Sequence, residues 1–298
     1  MEFRIGEMAA LFAATCWAVS AVAFESAGRK VGSTVVNLIR LVMAFFLIGF
    51  FTLIRGYGFL PADATPFNWF WLLLSGIVGF VIGDFFLFKA FTTIGSRLSM
   101  LIMTLVPPIA AFTGWLFLNE QLEWIHLLGM VITMSGIAIV LLFRAENSNS
   151  HLQKKIPIRG ILFAVGGAAG QALGLILSKH GMGNYDPFMA TQIRIVAGIT
   201  GFLVIILFSN KLNATMSALG NPKAMGLTLL GATFGPFLGV SASLFAVQHT
   251  ATGIASTLMA LTPILILIPT WLVFKQRVSW KEFIGALVSV LGVALFFI

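Results

Sequence analysis

Long runs without a charged residue constrain the fold of this chain more than any other feature. Such runs extend from Met8 to Phe24, from Leu98 to Asn119 and from Thr250 to Phe274. A helix crosses the hydrocarbon core of a bilayer with about 20 apolar residues, and only helices and closed barrels satisfy their own backbone hydrogen bonds in lipid. Barrel strands alternate apolar and polar residues, whereas these runs are uniformly apolar. The chain is therefore predicted to be an all-α integral membrane protein.

Composition excludes several other classes of protein. Only 9% of the residues are charged, against about 25% in a soluble domain. The chain has no G-x-x-x-x-G-K-[ST] loop for nucleotide phosphates, so ATP hydrolysis is not expected. The four histidines are not clustered, and we expect neither a metal nor a cofactor. The start, MEFRIGE, holds two acids, whereas a cleaved signal peptide begins with basic residues.

Polar breaks divide the chain into ten predicted transmembrane helices. Residues 1–143 are predicted to form one five-helix repeat, residues 144–158 a polar cytoplasmic linker, and residues 159–298 a second five-helix repeat. The predicted helices cover residues 7–27, 35–54, 68–90, 95–118, 124–143, 159–180, 187–208, 224–247, 252–274 and 281–298.

The two halves repeat each other in sequence. Residues 83–142 align without a gap with residues 239–298, and 11 of the 60 pairs are identical. The repeated positions include Pro107 and Pro263, and Trp124 and Trp280. Because each repeat holds an odd number of helices, the second must enter the membrane from the opposite side, as in many secondary transporters. The predicted fold is two inverted five-helix repeats.

Positive charge predicts which face of the membrane is cytoplasmic. Of the 18 lysine and arginine residues, Arg40 and Arg194 fall inside spans; 13 of the others lie on one face, and only Arg4, Arg55 and Lys179 lie on the other. Positively charged loops remain in the cytoplasm, so both termini are predicted to be non-cytoplasmic. We call the face of Arg4, Arg55 and Lys179 the outer face. The net charge of +8 then meets anionic lipid, and no nucleic-acid partner is needed.

A few polar residues inside the spans are the candidate substrate-binding residues. Asn37 and Arg40 share one face of the second helix, and Thr191 and Arg194 have the same spacing in the seventh. Ionisable groups at membrane depth usually face a protein interior or a cavity, although a long arginine side chain near a helix end can also reach the headgroups. The remaining candidates are Asp84, Gln171 and Gln192 inside spans, and Lys179 at the outer end of the sixth.

Asp84 has two open interpretations. It is the only acid well inside a span, and it either forms a structural ion pair with Arg40 or, with Glu25 of the first helix, carries a coupled proton, since desolvation favours a neutral carboxyl group. Arg194 has no acid in its own helix, so its planar guanidinium is a candidate for an anionic group of a substrate. Gln171 and Gln192 either contact substrate or only join helices.

Two prolines are candidate hinges. Pro107 and Pro263 are predicted to lie in the middle of the fourth and ninth helices. A proline removes one backbone hydrogen bond and bends a helix. The matched positions suggest either hinges at opposite ends of a cavity or static curvature.

Several passages resemble the drug/metabolite transporter superfamily, in particular the EamA-type ten-helix permeases. They are CWAVSAVAFESAG at residues 16–28, the Asn-x-x-Arg stretch at residues 37–40, and the related blocks at residues 89–142 and 245–297. The resemblance covers nearly the whole chain. It implies secondary active transport of small metabolites, often outward, through a central cavity between the repeats. The second block has Lys275 and Gln276 where the first has Asn119 and Glu120.

The expected function is that of a multi-pass exporter of an amino acid, a related metabolite or a drug-like compound in a prokaryotic cell membrane, acting as a monomer or homodimer. An enzyme is not expected. The alternatives are an intramembrane enzyme acting on lipid or isoprenoid, which would need clustered catalytic groups, and a non-transporting subunit that only packs against other helices.

Overall fold

The computed structural model describes residues 4–143, 157–265 and 279–297. Within these ranges the side chains of residues 25, 88, 91, 92 and 95–98 are not described. The first repeat contains α1 (Ile5–Val31), α2 (Ser33–Ile54), α3 (Pro66–Gly76), a π-helical segment π1 (Ile77–Gly83), α4 (Asp84–Met103), α5 (Val106–Leu118) and α6 (Trp124–Phe143). The second contains α7 (Ile158–Met182), α8 (Pro187–Phe208), α9 (Leu212–Leu219), α10 (Pro222–Ala232), π2 (Thr233–Gly239), α11 (Val240–His249), α12 (Thr252–Met259), α13 (Thr262–Leu265), α14 (Trp280–Ala294) and a 3₁₀ turn (Leu295–Phe297).

Within the described ranges, nine helical segments are long and apolar enough to cross a bilayer. A shorter apolar segment, Thr252–Leu265, lies where the ninth span was predicted. Every regular element there is a helix. The predicted all-α membrane fold of ten helices is confirmed.

The contact between α6 and α14 shows how the two repeats are related. Gly129 faces the backbone of Gly292, and Gly136 faces the backbone of Gly285. Thr133 and Ser289 each direct a side-chain hydroxyl to the other's carbonyl oxygen, at 3.5 and 3.2 Å. Thr133 and Ser289 are equivalent positions, 156 residues apart, and the Gly129–Gly292 contact is repeated by the equivalent pair, Gly285 and Gly136, as across a two-fold axis. Because early residues of α6 meet late residues of α14, the helices are antiparallel, and the repeats are inverted.

Glycine-rich helix faces make a second set of close contacts between the repeats. Gly79 of π1 lies against Gly174 of α7, and Gly83 lies against Gly170. One turn further out, the hydroxyls of Ser75 and Ser178 are 3.1 Å apart. Small residues every fourth position allow two helix backbones to approach. The first-repeat strip of α3 and π1 is thereby fixed against α7 of the second repeat.

The equivalent strip of the second repeat has bulkier partners. Gly231 and Gly235 lie against Phe24 of α1, and Gly239 lies against Trp17. The contact of α10 and π2 with α1 therefore repeats the arrangement of α3 and π1 with α7, with aromatic rings in place of glycines. The two halves are equivalent in topology but different in the chemistry of this contact.

The two π-helical segments occupy equivalent positions, since residues 77–83 and 233–239 are 156 residues apart. A π-helical turn shifts the backbone hydrogen-bond pattern and is often found at functional sites. In the first repeat the Gly79 carbonyl within this segment accepts a hydrogen bond from the Gln171 side chain at 3.3 Å. Asp84 follows directly after this segment.

Capping residues explain where several helices begin. Thr65 precedes Pro66 and accepts a hydrogen bond from the Asn68 amide, while Asn68 bonds back to Thr65. Asp186 and Asn221 likewise cap the helices that begin at the following prolines. A polar cap followed by proline satisfies a free amide and presets the backbone angle of the first turn. Between α1 and α2, only Gly32, with a φ of 88°, separates the helices, an angle that favours glycine.

The predicted spans three and four are separate apolar segments, Pro66–Leu87 and Ser99–Leu118, but the helix break predicted between them is wrong. We predicted ends at residues 90 and 95, but α4 continues from Asp84 to Met103. Polar side chains there do not interrupt the helix; the Thr93 hydroxyl, for example, donates to the Lys89 carbonyl oxygen one turn earlier, at 2.6 Å, which satisfies the hydroxyl inside the helix.

The predicted mid-helix positions of both prolines are also wrong. Pro107 lies in the first turn of α5, after a break at Thr104 and Leu105. A proline ring clashes with the carbonyl four residues earlier, so α4 ends at Met103, and the Leu105 amide bonds instead to the Ile102 carbonyl oxygen at 2.9 Å. The second repeat has the equivalent break before Pro263, where the Leu261 amide bonds to the Leu258 carbonyl oxygen at 3.2 Å.

Three further predictions concern segments between or beyond these helices. The predicted loop at residues 209–223 contains the short helix α9. The linker 144–158 lies outside the described residues except for its last two positions, and so does the predicted ninth helix beyond residue 265.

Candidate functional site

Four of the predicted polar residues form one cluster inside the protein. An Nη2 atom of Arg40 in α2 lies 3.0 Å from Oδ2 of Asp84 in α4. The Gln171 side chain of α7 donates to Oδ1 of the same carboxylate at 2.9 Å. Arg194 of α8 is close enough for its positive charge to attract the Asp84 carboxylate. We call Arg40, Asp84, Gln171 and Arg194 the central cluster; each repeat contributes two of its members.

Both arginines of the central cluster point into the protein. The Arg40 side chain is 16% exposed, and its guanidinium lies over the Phe24 ring at 5.0 Å. Arg194 is only 6% exposed, and its guanidinium lies over the Phe80 ring at 4.7 Å. Aromatic faces attract desolvated cations. Each arginine is therefore held against an aromatic ring, that of Phe24 on α1 or that of Phe80 on π1.

Arg194 differs from Arg40 in its charge partner. Asp84 forms an ion pair with Arg40, whereas no described carboxylate lies within ion-pair distance of Arg194. The Nε atom of Arg194 is buried without a hydrogen-bond partner. A buried charge normally requires a partner, because desolvation costs several kcal/mol. Among the described residues, Arg194 thus carries a buried positive charge without ion-pair compensation.

Asp84 and Gln171 have no counterpart of the same chemistry at the equivalent places of the other half. The position 156 residues after Asp84 is Val240. Trp17 meets Gly239 as Gln171 meets Gly83, so an indole stands where the first contact has an amide. The asymmetry shows that the inverted fold itself does not require these polar groups.

The other predicted site residues lie elsewhere. Asn37 is buried one turn before Arg40, with no described contact to Asp84. Thr191 is buried between the Pro187 carbonyl and the Ser241 hydroxyl. Gln192 donates to the Phe59 carbonyl oxygen at 2.9 Å, which joins α8 to the segment after α2. The side chain of Glu25 is outside the described residues.

Lys179 belongs to a second polar network, at the predicted outer face. Its Nζ lies 2.6 Å from Oε1 of Glu120 and donates to the Thr250 carbonyl oxygen at 2.8 Å. The other Glu120 oxygen accepts from the amide and hydroxyl of Thr252, at 2.8 and 2.6 Å. Glu7 accepts from the Thr250 hydroxyl at 3.0 Å. Because Lys179 lies eight residues after Gln171, about 12 Å along the helix, this network is separate from the central cluster.

We call Glu7, Glu120, Lys179, Thr250 and Thr252 the outer network. Glu120, Lys179 and Thr250 line an open cleft of about 350 Å³, and the network joins the two repeats. A second link there is the ion pair of Arg55 with Asp186 at 2.8 Å. A third is the hydrogen bond from the Tyr185 hydroxyl to Asp63 at 2.7 Å; burial and this hydrogen bond raise the pKa of Tyr185. These contacts hold the outer ends of the repeats together.

Sequence reasoning missed Phe80, Phe24, the π-helical segments and the Glu120–Thr252 contact. The doubled Gly-x-x-x-Gly spacing at Gly79–Gly83 and Gly235–Gly239 marks the π-helical segments, but the same spacing also predicts ordinary close packing. Nothing in the sequence distinguishes Phe80 from the other 28 phenylalanines.

The fold and the cluster define a polytopic helical membrane protein with two inverted repeats and a polar site between them. The family model of the EamA-like transporter family matches residues 4–142 and 158–298. The chain therefore belongs to the EamA-like transporter family, whose members are generally membrane transporters of small molecules. The resemblance seen in the sequence is confirmed.

The other comparisons concern individual proteins. No curated protein matches the chain. Among solved structures, 28 chains match. One of them, described only as the crystal structure of a protein, is 16% identical, with a TM-score of 0.75 over 98% of this chain and 96% of its own. At this identity the likeness concerns the fold alone.

Proposed function

We propose that the protein is a secondary active transporter that exports a small metabolite, such as an amino acid, a related metabolite or a drug-like compound, across the cell membrane. The observation that carries this proposal is the central cluster. Its two arginines come from equivalent helices of inverted repeats, and the Asp84 carboxylate forms an ion pair with only one of them, Arg40. Polar groups at this depth are costly and typically mark substrate or ion pathways.

The cluster is suited to alternating access because its contacts cross between the repeats. The Gln171–Asp84 hydrogen bond joins α7 to α4, and the Glu120–Lys179 ion pair joins the repeats again at the predicted outer face. If the repeats move relative to each other, such contacts break on one side of a central site while the other side closes. The solute would then reach the cluster from one face at a time.

Family membership supports a transporter over an intramembrane enzyme or a non-transporting subunit. The direction and the driving force remain parts of the proposal: we propose outward movement, with Asp84 or Glu25 carrying a proton or with exchange of solutes. Among the described residues, the two carboxylates of the outer network are not close to the central cluster. Asp84 is therefore the carboxylate on which coupling within the cluster would depend.

Metabolite profiling tests the proposal. Cells that overproduce the protein should hold less of at least one small compound, and their medium more, than cells that lack it. The double variant Arg40→Gln/Asp84→Asn should abolish this difference, because it removes the central ion pair while leaving no unpaired partner of that pair behind. Arg159→Gln, which removes an exposed charge at the start of α7, should behave as wild type.

Flux through purified protein in liposomes then separates transport from indirect effects in cells. The leading compound should leave loaded vesicles with the wild type and not with the double variant, at equal amounts of inserted protein. If no compound changes in cells and none crosses the vesicle membrane, the transporter proposal is wrong.

A further inference from the structure

The central cluster holds an excess of one positive charge among its described side chains. Arg40 and Arg194 contribute two positive charges and Asp84 one negative charge. Both carboxylate oxygens are already engaged, Oδ2 by Arg40 and Oδ1 by Gln171. Asp84 therefore cannot turn toward Arg194 without giving up one of these contacts.

Arg194 has the geometry of a binding group and lacks that of a structural one. Its position is fixed, since Gly76 packs against its backbone and its guanidinium lies over Phe80. Its Nε atom has no hydrogen-bond partner. An arginine that only joined helices would use its donors on carbonyl oxygens or carboxylates of the neighbouring helices. Arg194 is held by its backbone and ring contacts, while its charge has no ion-pair partner among the described residues.

Gly79 leaves room beside the guanidinium. A Cβ atom at this position would lie 3.3 Å from Nη2 of Arg194, tighter than most contacts of real side chains. The glycine also allows α7 to approach, because the same Cβ atom would lie 3.6 Å from the Cα atom of Gly174. The edge of the guanidinium that faces π1 is thus not covered by a side chain at residue 79.

We propose that Arg194 binds an oxyanionic group of the transported solute, a carboxylate or a phosphate. The inference rests on the proposed transport function and names the chemical class of the substrate. The planar guanidinium matches two oxygens of either group in a bidentate contact. One negative charge on the solute neutralises the excess charge of the cluster, whereas a neutral solute leaves it uncompensated and a cationic solute increases it.

An untargeted efflux experiment tests this class directly. Liposomes containing the purified protein are loaded with the low-molecular-weight extract of the host cells, and the compounds that leave are identified by mass spectrometry. The compounds exported by the wild type should carry at least one carboxylate or phosphate. The ratio of carboxylates to phosphates among these compounds shows which of the two groups the site prefers. Arg194→Gln should reduce their efflux about 10- to 100-fold, the loss expected for a charge-assisted contact.

One further variant and one control show whether the charge of Arg194 or the bidentate geometry of its guanidinium matters. Arg194→Lys keeps the charge but loses the bidentate geometry, so it should fall between wild type and Arg194→Gln. Arg159→Gln is the matched control for charge removal and should leave efflux unchanged. Export of neutral or cationic compounds at comparable rates, or wild-type efflux by Arg194→Gln, would overturn the proposal.

A binding measurement distinguishes failure of this inference from failure of transport. The unfolding temperature of the purified protein is measured with sodium benzoate, benzamide and inorganic phosphate at constant ionic strength. Benzoate or phosphate should raise it in the wild type but not in Arg194→Gln, and benzamide should raise it in neither. If the vesicles export nothing but this pattern appears, the transport proposal fails and the anion site stands. If neither anion has an effect, or the effect survives in Arg194→Gln, the anion site is wrong even when transport is found.

Discussion

Arg194 and Asp84 illustrate opposite effects of a buried charge on stability. Asp84 satisfies Arg40 and Gln171, while Arg194 is buried without an ion-pair partner among the described residues. A group that serves binding is often retained at a cost in stability. Substitutions at the two positions should therefore change the free energy of unfolding in opposite directions.

We expect Arg194→Met to stabilise the protein and to abolish transport. Methionine keeps an unbranched apolar stem and removes the buried charge. The desolvation cost of that charge, several kcal/mol, should exceed the ring contact with Phe80, which is worth about 2 kcal/mol or more in desolvated sites. The expected gain is about 1–2 kcal/mol. Thermal unfolding in detergent and vesicle flux measure the two effects. A clear loss of stability would identify Arg194 as a structural residue.

Asp84→Asn should have the reverse effect on stability. It leaves two buried guanidinium groups without a carboxylate, and breaking a buried pair from one side typically costs about 3–5 kcal/mol. Adding Arg40→Gln to Asp84→Asn should restore a large part of this loss. A double-mutant cycle from unfolding temperatures and denaturant midpoints gives the coupling; additive effects of the two substitutions would contradict a direct pair.

The sequence identified the charged members of the cluster but not their arrangement. Arg40, Asp84 and Arg194 were predicted because ionisable residues are rare in spans. The bond of Gln171 to Asp84, and the independence of Gln192 from the cluster, depend on which way α7 and α8 face, and near-uniform apolarity leaves that rotation undefined. Phe80 was missed for the same reason, since a phenylalanine in a span carries no signal of a neighbouring cation.

At the scale of helices, the α6–α14 contact provides a symmetric test of the fold. Gly136 and Gly292 are equivalent residues, and a Cβ atom on either would collide with the opposite helix, near Ser289 and Thr133 respectively. Gly136→Ala and Gly292→Ala should each lower the free energy of unfolding by about 1–3 kcal/mol, the usual cost of overpacking. Their effects should be similar because their surroundings are related by the two-fold axis.

A matched control for these substitutions lies in α10. Gly226 is exposed, and a Cβ atom there meets nothing within 4 Å. Gly226→Ala should therefore raise the free energy of unfolding by about 0.5–1 kcal/mol, through helix propensity alone. The same unfolding measurements serve all three variants. Strongly unequal effects at Gly136 and Gly292 would contradict the two-fold relation.

Helix number was easier to predict from the sequence than helix continuity. Apolar runs show where the chain crosses the membrane. The nine long spans of the described residues, together with the shorter segment Thr252–Leu265 at the position of the ninth predicted helix, therefore agree with the prediction. The breaks before Pro107 and Pro263 were misplaced because a proline affects the preceding turn, not only its own position. The continuity of α4 was missed because polar residues such as Thr93 satisfy their hydroxyls within the helix and need not end it.

At the scale of the whole molecule, the repeats are joined by different chemistry at different depths. Hydrogen-bonded ion pairs join them at the predicted outer face, glycine contacts join α3 and π1 to α7, and the central cluster lies on the same boundary. Polar contacts in water-accessible regions are exchanged for water more readily than packed backbones separate. We therefore expect relative motion of the repeats to begin at the outer network.

The orientation of the molecule in the membrane is the last prediction, and it follows from charge alone. With the native Cys16, which is buried, replaced by alanine, single cysteines are introduced at two exposed positions, Ala62 between α2 and α3 and Asn213 in α9. A membrane-impermeant maleimide should label Ala62→Cys in intact cells, and Asn213→Cys only after the membrane is permeabilised, because positively charged loops remain cytoplasmic. Both sites should react equally in detergent, which controls for accessibility in the folded protein. The reverse pattern would invert the molecule, leave the fold unchanged, and place the Glu120–Lys179 network on the cytoplasmic side. Labelling of both sites in intact cells would mean that the two loops lie on the same face, and would contradict the inverted arrangement of the repeats.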